Sequence, residues 1–153
     1  MRVALASSVA SRKNCSVQYG ALPYRVTGST VEVLLITTLR SRRWIIPKGW
    51  PIAGQSAEAS AAREALEEAG VSGEIGKKPI GSFRYFKQLK SGETVPCRVD
   101  VFPLKVSQQR KRWAEKDSRD MRWCTIEQAL AQVAEAGLRQ LIEKFAAALI
   151  PEG

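Results

Sequence analysis

The 153-residue chain reads as one α+β layered domain, and three observations predict it. Runs with strand character and runs with helical periodicity are mixed without regular alternation, which argues against a wholly parallel, doubly wound sheet. The length suits one ordinary core, and the 44% of hydrophobic residues is enough to fill it without staples. No internal repeat and no interdomain linker divides the chain.

The elements follow in order. Residues 1–15 are expected to be a loose N-terminal tail. They begin like a secretory leader, but the apolar part is short and broken by Ser7 and Ser8. The domain proper is placed at 16–153. Residues 16–26 form a strand, Thr27-Gly28-Ser29 a turn, and Val31 to Thr38 a second strand. That second strand is β-branched and apolar on both faces, as an interior strand should be. Trp44-Ile45-Ile46 is a short strand stopped by Pro47, and a loop bearing Gly and Pro covers 48–54. Residues 56–69 make a helix, with Ser56 as N-cap and Gly70 as the stop.

Two longer strands follow at 79–89 and 94–106, joined through Ser91-Gly92. In the second, Cys97, Val99 and Val101 alternate with Arg98 and Asp100, and Pro96 and Pro103 predict a sheet edge or a bulge. A charged loop, 107–120, leads to a short strand at Met121-Arg122-Trp123-Cys124. Thr125 and Gln128 form a capping box for a helix with Ile126, Ala129, Leu130 and Val133 on one face. Past Gly137 a last helix carries Leu138, Leu141, Ile142, Phe145 and Leu149 at helical spacing.

Composition narrows the chemistry. Lys and Arg number 24 against 15 Asp and Glu, a net charge of +9, so the surface should attract polyanions such as nucleotides, polyphosphates or nucleic acid. With no His in the chain, a His-based triad is excluded and a zinc site is not expected. Cys15, Cys97 and Cys124 suit neither a disulfide framework nor paired zinc half-sites. They are read as small core residues in a reducing compartment, the cytoplasm. No apolar run approaches the ~20 residues that span a bilayer.

The chemistry concentrates on the internal helix. At about 100° per residue, Ala62, Ala65, Leu66 and Ala69 fall on one face and Glu64, Glu67 and Glu68 on nearly the opposite one. Like charges so spaced repel by about a few tenths of a kcal/mol per pair, a penalty that a bound divalent cation reverses. Read from Gly49, the chain runs five residues to Gln55, seven more, then Arg63-Glu64-Ala65-Leu66-Glu67-Glu68-Ala69-Gly70-Val71.

This stretch resembles the Nudix box, in which a glycine, a glutamate after five residues, and Arg-Glu-apolar-any-Glu-Glu-any-Gly-apolar after seven more are the fixed positions. The resemblance implies a Nudix-type α/β/α layering around a mixed sheet, with a catalytic loop-helix-loop. It implies a pyrophosphohydrolase that uses Mg²⁺, or Mn²⁺, held by Glu64 and Glu68 with help from Glu67 and the backbone carbonyl of Lys48. Arg63 would orient the carboxylates, and Gly49 and Gly70 would serve the loop and the helix end. Glu64 or Glu67 would accept the proton of the attacking water, with Glu115 as a candidate outside the box. Gln55 departs from the pattern, and with it the charge-assisted contact to Arg63 is lost.

The flanking runs Arg43-Trp44-Ile45-Ile46-Pro47-Lys48-Gly49 and Gly81-Ser82-Phe83-Arg84-Tyr85-Phe86-Lys87 look like the subgroup that cleaves diphosphoinositol and diadenosine polyphosphates. Arg40, Arg43, Arg84 and Lys87 are the expected substrate-binding cations, and Trp50, Tyr85 or Phe86 the candidate shelf for a base. Two other readings fit the same residues. One is an enzyme acting on RNA 5′ ends; the other is a Nudix-fold binding module without catalysis.

Overall fold

The computed structural model describes residues 16–149, so the expected tail at 1–15, with Cys15, lies outside the described residues. Strand β1 (Ser16–Thr27) turns through Gly28 into β2 (Thr30–Thr37), and the short β3 (Trp44–Ile45) and β4 (Lys48–Gly49) follow. Helix α1 (Ala57–Ala69) leads into β5 (Val71–Ile75), β6 (Gly81–Gln88), β7 (Thr94–Gln109) and β8 (Met121–Thr125). Helices α2 (Ile126–Gln132) and α3 (Ala136–Leu149) come last.

All eight strands join one mixed sheet. β1 and β7 run parallel from Ser16↔Cys97 to Tyr24↔Lys105, and every other pairing is antiparallel. β1 and β2 pair only near their hairpin, from Tyr24↔Val33 to Thr27↔Thr30. Beyond it they part, and β4 takes the freed edge of β1 at Tyr19 and Gly20 while β3 takes that of β2 at Ile36 and Thr37. The wedge so opened is where the chain from β3 through β4 enters α1.

Val33, Leu34, Leu35 and Ile36 are consecutive and fully buried, so both faces of β2 are covered, as its sequence predicts. Helix α1 packs on β1, β4, β5 and β7, whereas α3 packs on β6 and α2 on β2 and β8. Tyr24 meets Phe145 edge to face at 5.0 Å between ring centroids, which ties α3 to the C-terminal half of β1. Cys97 and Cys124 lie in the core as small apolar residues.

Three expectations are corrected. β7 is not an edge strand, since it has β1 on one side and β6 then β5 on the other. Pro103 is tolerated because β6 pairing ends at Val101 and β5 pairing begins at Leu104, so its missing N–H falls in the gap between two strands. The bulge does exist, further along, where the register shifts between Ser72 and Gly73. β5 itself was not expected, because five residues interrupted by Gly73 carry little strand pattern; any side chain at that glycine would strike the Lys105 carbonyl. β7 runs on to Gln109 and so takes up the start of the expected loop.

Candidate active site

Helix α1 is capped at both ends as its sequence predicts. Ser56 accepts a hydrogen bond from the Ala59 N–H, and Gly70 adopts φ 68°, ψ 21° and donates to the Ala65 and Leu66 carbonyls. Its buried face differs from the expected one. Ala61, Ala65 and Ala69 meet the sheet, Ala62 and Leu66 are only half-buried, and Ser60 and Glu68 are buried too. The helix therefore carries two adjoining stripes. The alanines give close approach to β1, while Ser60, Glu64 and Glu68, four apart, face the loop that enters the helix.

That loop is held against the carboxylates. The Ile52 N–H donates to Ser60 Oγ at 3.3 Å and the Lys48 N–H to Glu68 Oε1 at 3.4 Å. A Cβ at Gly49 would fall on the Glu64 carboxyl group, so only glycine lets the β4 backbone pass so close. Glu67 does not join Glu64 and Glu68. Arg63 Nε donates to Glu67 Oε2 at 2.8 Å, an i, i+4 pair on the outer side of the helix. Arg63 thus turns to Glu67 and not to Gln55, which is exposed in a turn closed by its own N–H to the Ile52 carbonyl.

The second wall of the site comes from the loop before β8, and it contains the main residue the sequence reading missed. Arg119 is nearly buried, 12% exposed, and its guanidinium is shared three ways. Nε donates to Glu115 Oε1 at 2.7 Å, Nη1 to the Thr37 carbonyl at 2.9 Å, and Nη2 lies 3.8 Å from Glu68 Oε2. Glu115, the candidate base outside the box, directs its carboxylate to Arg119, and its N–H donates to the Glu67 carbonyl at 3.0 Å. It acts as a strut between loop and helix. No local pattern marks Arg119 among its charged neighbours; only the β2–β8 pairing brings it beside Thr37.

Trp113 in the same loop covers the C-terminal end of α1. A Cβ on Gly70 would strike its ring, and the residue's positive φ disfavours any other side chain. Gly70→Ala is expected to destabilise the fold by about 2–4 kcal/mol, the sum of left-handed strain and overpacking. Urea denaturation checks this, and a change under about 0.5 kcal/mol contradicts it.

Helix, entry loop and wall enclose a pocket of about 520 Å³, within the range of small-molecule sites. Glu64, Glu68, Lys48, Gly49 and Arg119 lie at its polar side, and Arg40, Arg43 and Lys87 also line it. Arg84 does not; it stands exposed outside the pocket wall. Tyr85 is buried, donates from its hydroxyl to Gln18 Oε1 at 2.6 Å, and lies under the Lys48 ammonium at 4.4 Å from the ring centre. Of the four large hydrophobic side chains exposed among the described residues, Leu39, Trp50 and Phe86 line this pocket.

Burial shifts the charges here. The Glu68 carboxyl group titrates well above the usual range, first because it is buried and further because of its hydrogen bond and repulsion with Glu64; Arg119 and Lys48 oppose the shift. Lys48 is pulled down to about 8 by burial, partly offset by Glu68 and deepened by Lys87 and Arg119. Two adjacent carboxyl groups, both oxygen donors, fit a hard divalent cation. Among the described residues no three Asp, Glu, Cys or His side chains converge as a ligand cluster. The fitting set is therefore Glu64 and Glu68, completed by backbone oxygen and water, which suits the way Mg²⁺ keeps its waters.

An acidic helix and a basic, ring-edged pocket lie side by side on this mixed sheet. The Nudix domain family profile matches residues 18–145, and the chain belongs to the Nudix family. Nudix hydrolase 21, chloroplastic, from Arabidopsis thaliana is 34% identical over 131 residues, covering 82% of this chain and 64% of the relative. Diphosphoinositol polyphosphate phosphohydrolase 3-alpha of Mus musculus is 34% identical over 102 residues, covering 65% of this chain and 58% of the relative. The matches thus span somewhat under two thirds of these relatives' lengths. Two solved structures share the fold. The C. elegans Ap4A hydrolase has a TM-score of 0.64 at 23% identity, covering 88% of this chain and 98% of that one. The NUDIX domain of Shewanella oneidensis NrtR, solved with ADP ribose, has a TM-score of 0.67 at 18% identity, covering 97% and 99%. Several of the Arabidopsis relatives carry chloroplastic or mitochondrial names, and no described helix is long and apolar enough to cross a membrane.

Proposed function

We propose that this chain is a Mg²⁺-dependent pyrophosphohydrolase that cleaves a diphosphate linkage in a dinucleoside polyphosphate such as diadenosine tetraphosphate. The observation that carries the choice is the exposure of Leu39 at 54%, Trp50 at 43% and Phe86 at 68% around a pocket whose other side is cationic. Exposed apolar groups gathered at one concavity mark a ligand surface. A nucleobase uses such a shelf, whereas an inositol phosphate needs only the cations. The cytoplasm, or another reducing compartment, suits the core cysteines.

The residues then divide the work. Glu64 and Glu68 would hold the cation, which when bound supplies neutralisation of phosphate oxygens and a water of lowered pKa. Arg40, Arg43, Lys48, Lys87 and Arg119 receive the phosphate chain, with Arg able to bind two oxygens at once. Water adds to phosphorus, the bridging oxygen leaves with the departing phosphate, and Glu64, the more exposed of the two pocket carboxylates, accepts the water's proton. Glu67, paired with Arg63, steadies the helix surface.

The test compares kcat/KM for diadenosine tetraphosphate, a diphosphoinositol polyphosphate and ADP-ribose, with Phe86→Ala and Trp50→Ala alongside. Stacking is worth about 1–3 kcal/mol per base, so each change should cost the dinucleotide roughly five- to 150-fold and the inositol compound little. Fastest turnover of the inositol compound, indifferent to both changes, would sink the nucleotide assignment. Salt-sensitive binding of single-stranded RNA with no turnover of small molecules would favour an RNA substrate, and nucleotide binding without turnover a binding module.

A further inference from the structure

We propose that Glu135 is a positioning residue, which seats Arg43 in the pocket wall and, by offsetting its charge, limits the pocket's preference for the more highly charged of two phosphate chains. Glu135 lies between α2 and α3, far along the chain from the catalytic helix, and does not itself line the pocket. Its carboxylate side chain is only 7% exposed and is bound by Arg43 Nη1 through Oε2 at 2.8 Å. The other oxygen, Oε1, is buried and has no hydrogen-bond partner among the described residues. A buried carboxylate with so little compensation is costly to keep, and Arg43 is the cation that makes it tolerable.

The same contact fixes Arg43. Its Nε donates to Ser41 Oγ at 3.2 Å, and its backbone is held at both ends by Thr38, through N–H to Thr38 Oγ1 at 3.0 Å and through its carbonyl to the Thr38 N–H at 2.8 Å. With Nε and Nη1 engaged, Nη2 is the group of the fork left to meet a ligand, and the side chain is still 42% exposed in the pocket wall. Arg40, by contrast, makes no ion pair among the described residues and lines the pocket as an exposed cation. The pocket thus combines an unpaired cation, Arg40, with one arginine held in place at the expense of part of its field.

The proposal rests on the pocket being the phosphate-binding site, and its test needs no turnover. Calorimetry measures the affinity of inorganic pyrophosphate and inorganic tripolyphosphate for the unaltered protein, Glu135→Gln and Glu135→Ala. The Gln variant keeps an acceptor for Arg43 and removes the negative charge, so tripolyphosphate should bind about three- to tenfold tighter and pyrophosphate should gain less. The Ala variant removes the same charge together with the acceptor, so it should bind tripolyphosphate several-fold more weakly than the Gln variant. Should the Ala variant fail to fold, Arg43→Lys takes its place; it keeps the cation without the fork and should bind tripolyphosphate more weakly than the unaltered protein. Equal affinities in the Gln variant and the unaltered protein, or in the Gln and Ala variants, overturn the proposal. So does unchanged tripolyphosphate affinity in Arg43→Lys where that variant replaces Ala. Absence of binding by the unaltered protein overturns the phosphate reading of the pocket as well.

Discussion

Glu68→Gln is expected to abolish nearly all turnover, by about 10²–10⁴-fold, while making the protein more stable in chelator. Both effects have one cause. The Glu68 carboxyl group is buried against Glu64 and titrates well above its usual range. Its folded-state pKa is raised, so the metal-free fold keeps its full stability only below the ordinary carboxylate range. It loses stability as pH rises from there toward the raised value. At neutral pH the amide escapes that penalty, and Arg119 keeps Glu115 and the Thr37 carbonyl as partners. Under the proposed function, however, the cation would lose a ligand. Thermal melts with chelator and with Mg²⁺ should show the unaltered protein gaining stability on Mg²⁺ addition and the variant gaining little. A variant less stable than the parent in chelator, or stabilised equally by Mg²⁺, contradicts the account.

Helix α1 was legible because its information is local. Caps, period and the spacing from Gly49 to Val71 lie within one continuous run, and the structure returns Ser56 and Gly70 as the caps. Periodicity alone misjudged the faces. Taking Ala62, Ala65, Leu66 and Ala69 as the core face placed Glu68 opposite the buried side, whereas the helix is wedged between a sheet and a loop and so buries a wider arc, Glu68 included. What was illegible depends on pairings far apart in the chain. Arg119 reaches Glu68, and Glu135 reaches Arg43, only after β8 has paired with β2 and the helices have closed over the sheet. The five-residue β5 owes its existence to β7, and its own composition would as readily make a loop. Arg84 and Lys87 illustrate the remaining ambiguity: both are cations on one strand, and only Lys87 borders the pocket.

The second large effect is expected from the smallest side chain. Gly49→Ala should lower kcat by roughly a hundredfold, the loss typical of a catalytic group moved by about 1 Å. The added methyl would occupy the place of the Glu64 carboxyl group, and that side chain, half-buried and open to the pocket, has room to swing away. Stability should therefore fall far less than activity, in contrast to Gly70→Ala, where the obstacle is a packed indole. Kinetics with Mn²⁺ titration should show the loss of kcat accompanied by weaker metal saturation. Parent-like kcat and metal dependence in a folded Gly49→Ala protein would show that Glu64 is not held where the chemistry occurs.

The measurement that bears most directly on the central claim is the rate at which the purified chain hydrolyses diadenosine tetraphosphate, first with Mg²⁺ and then with chelator in excess. The account predicts turnover with the metal, cleavage at a diphosphate linkage, and loss of nearly all activity on chelation that returns when Mg²⁺ is restored. Undiminished hydrolysis in chelator, or none with Mg²⁺ present, would contradict it.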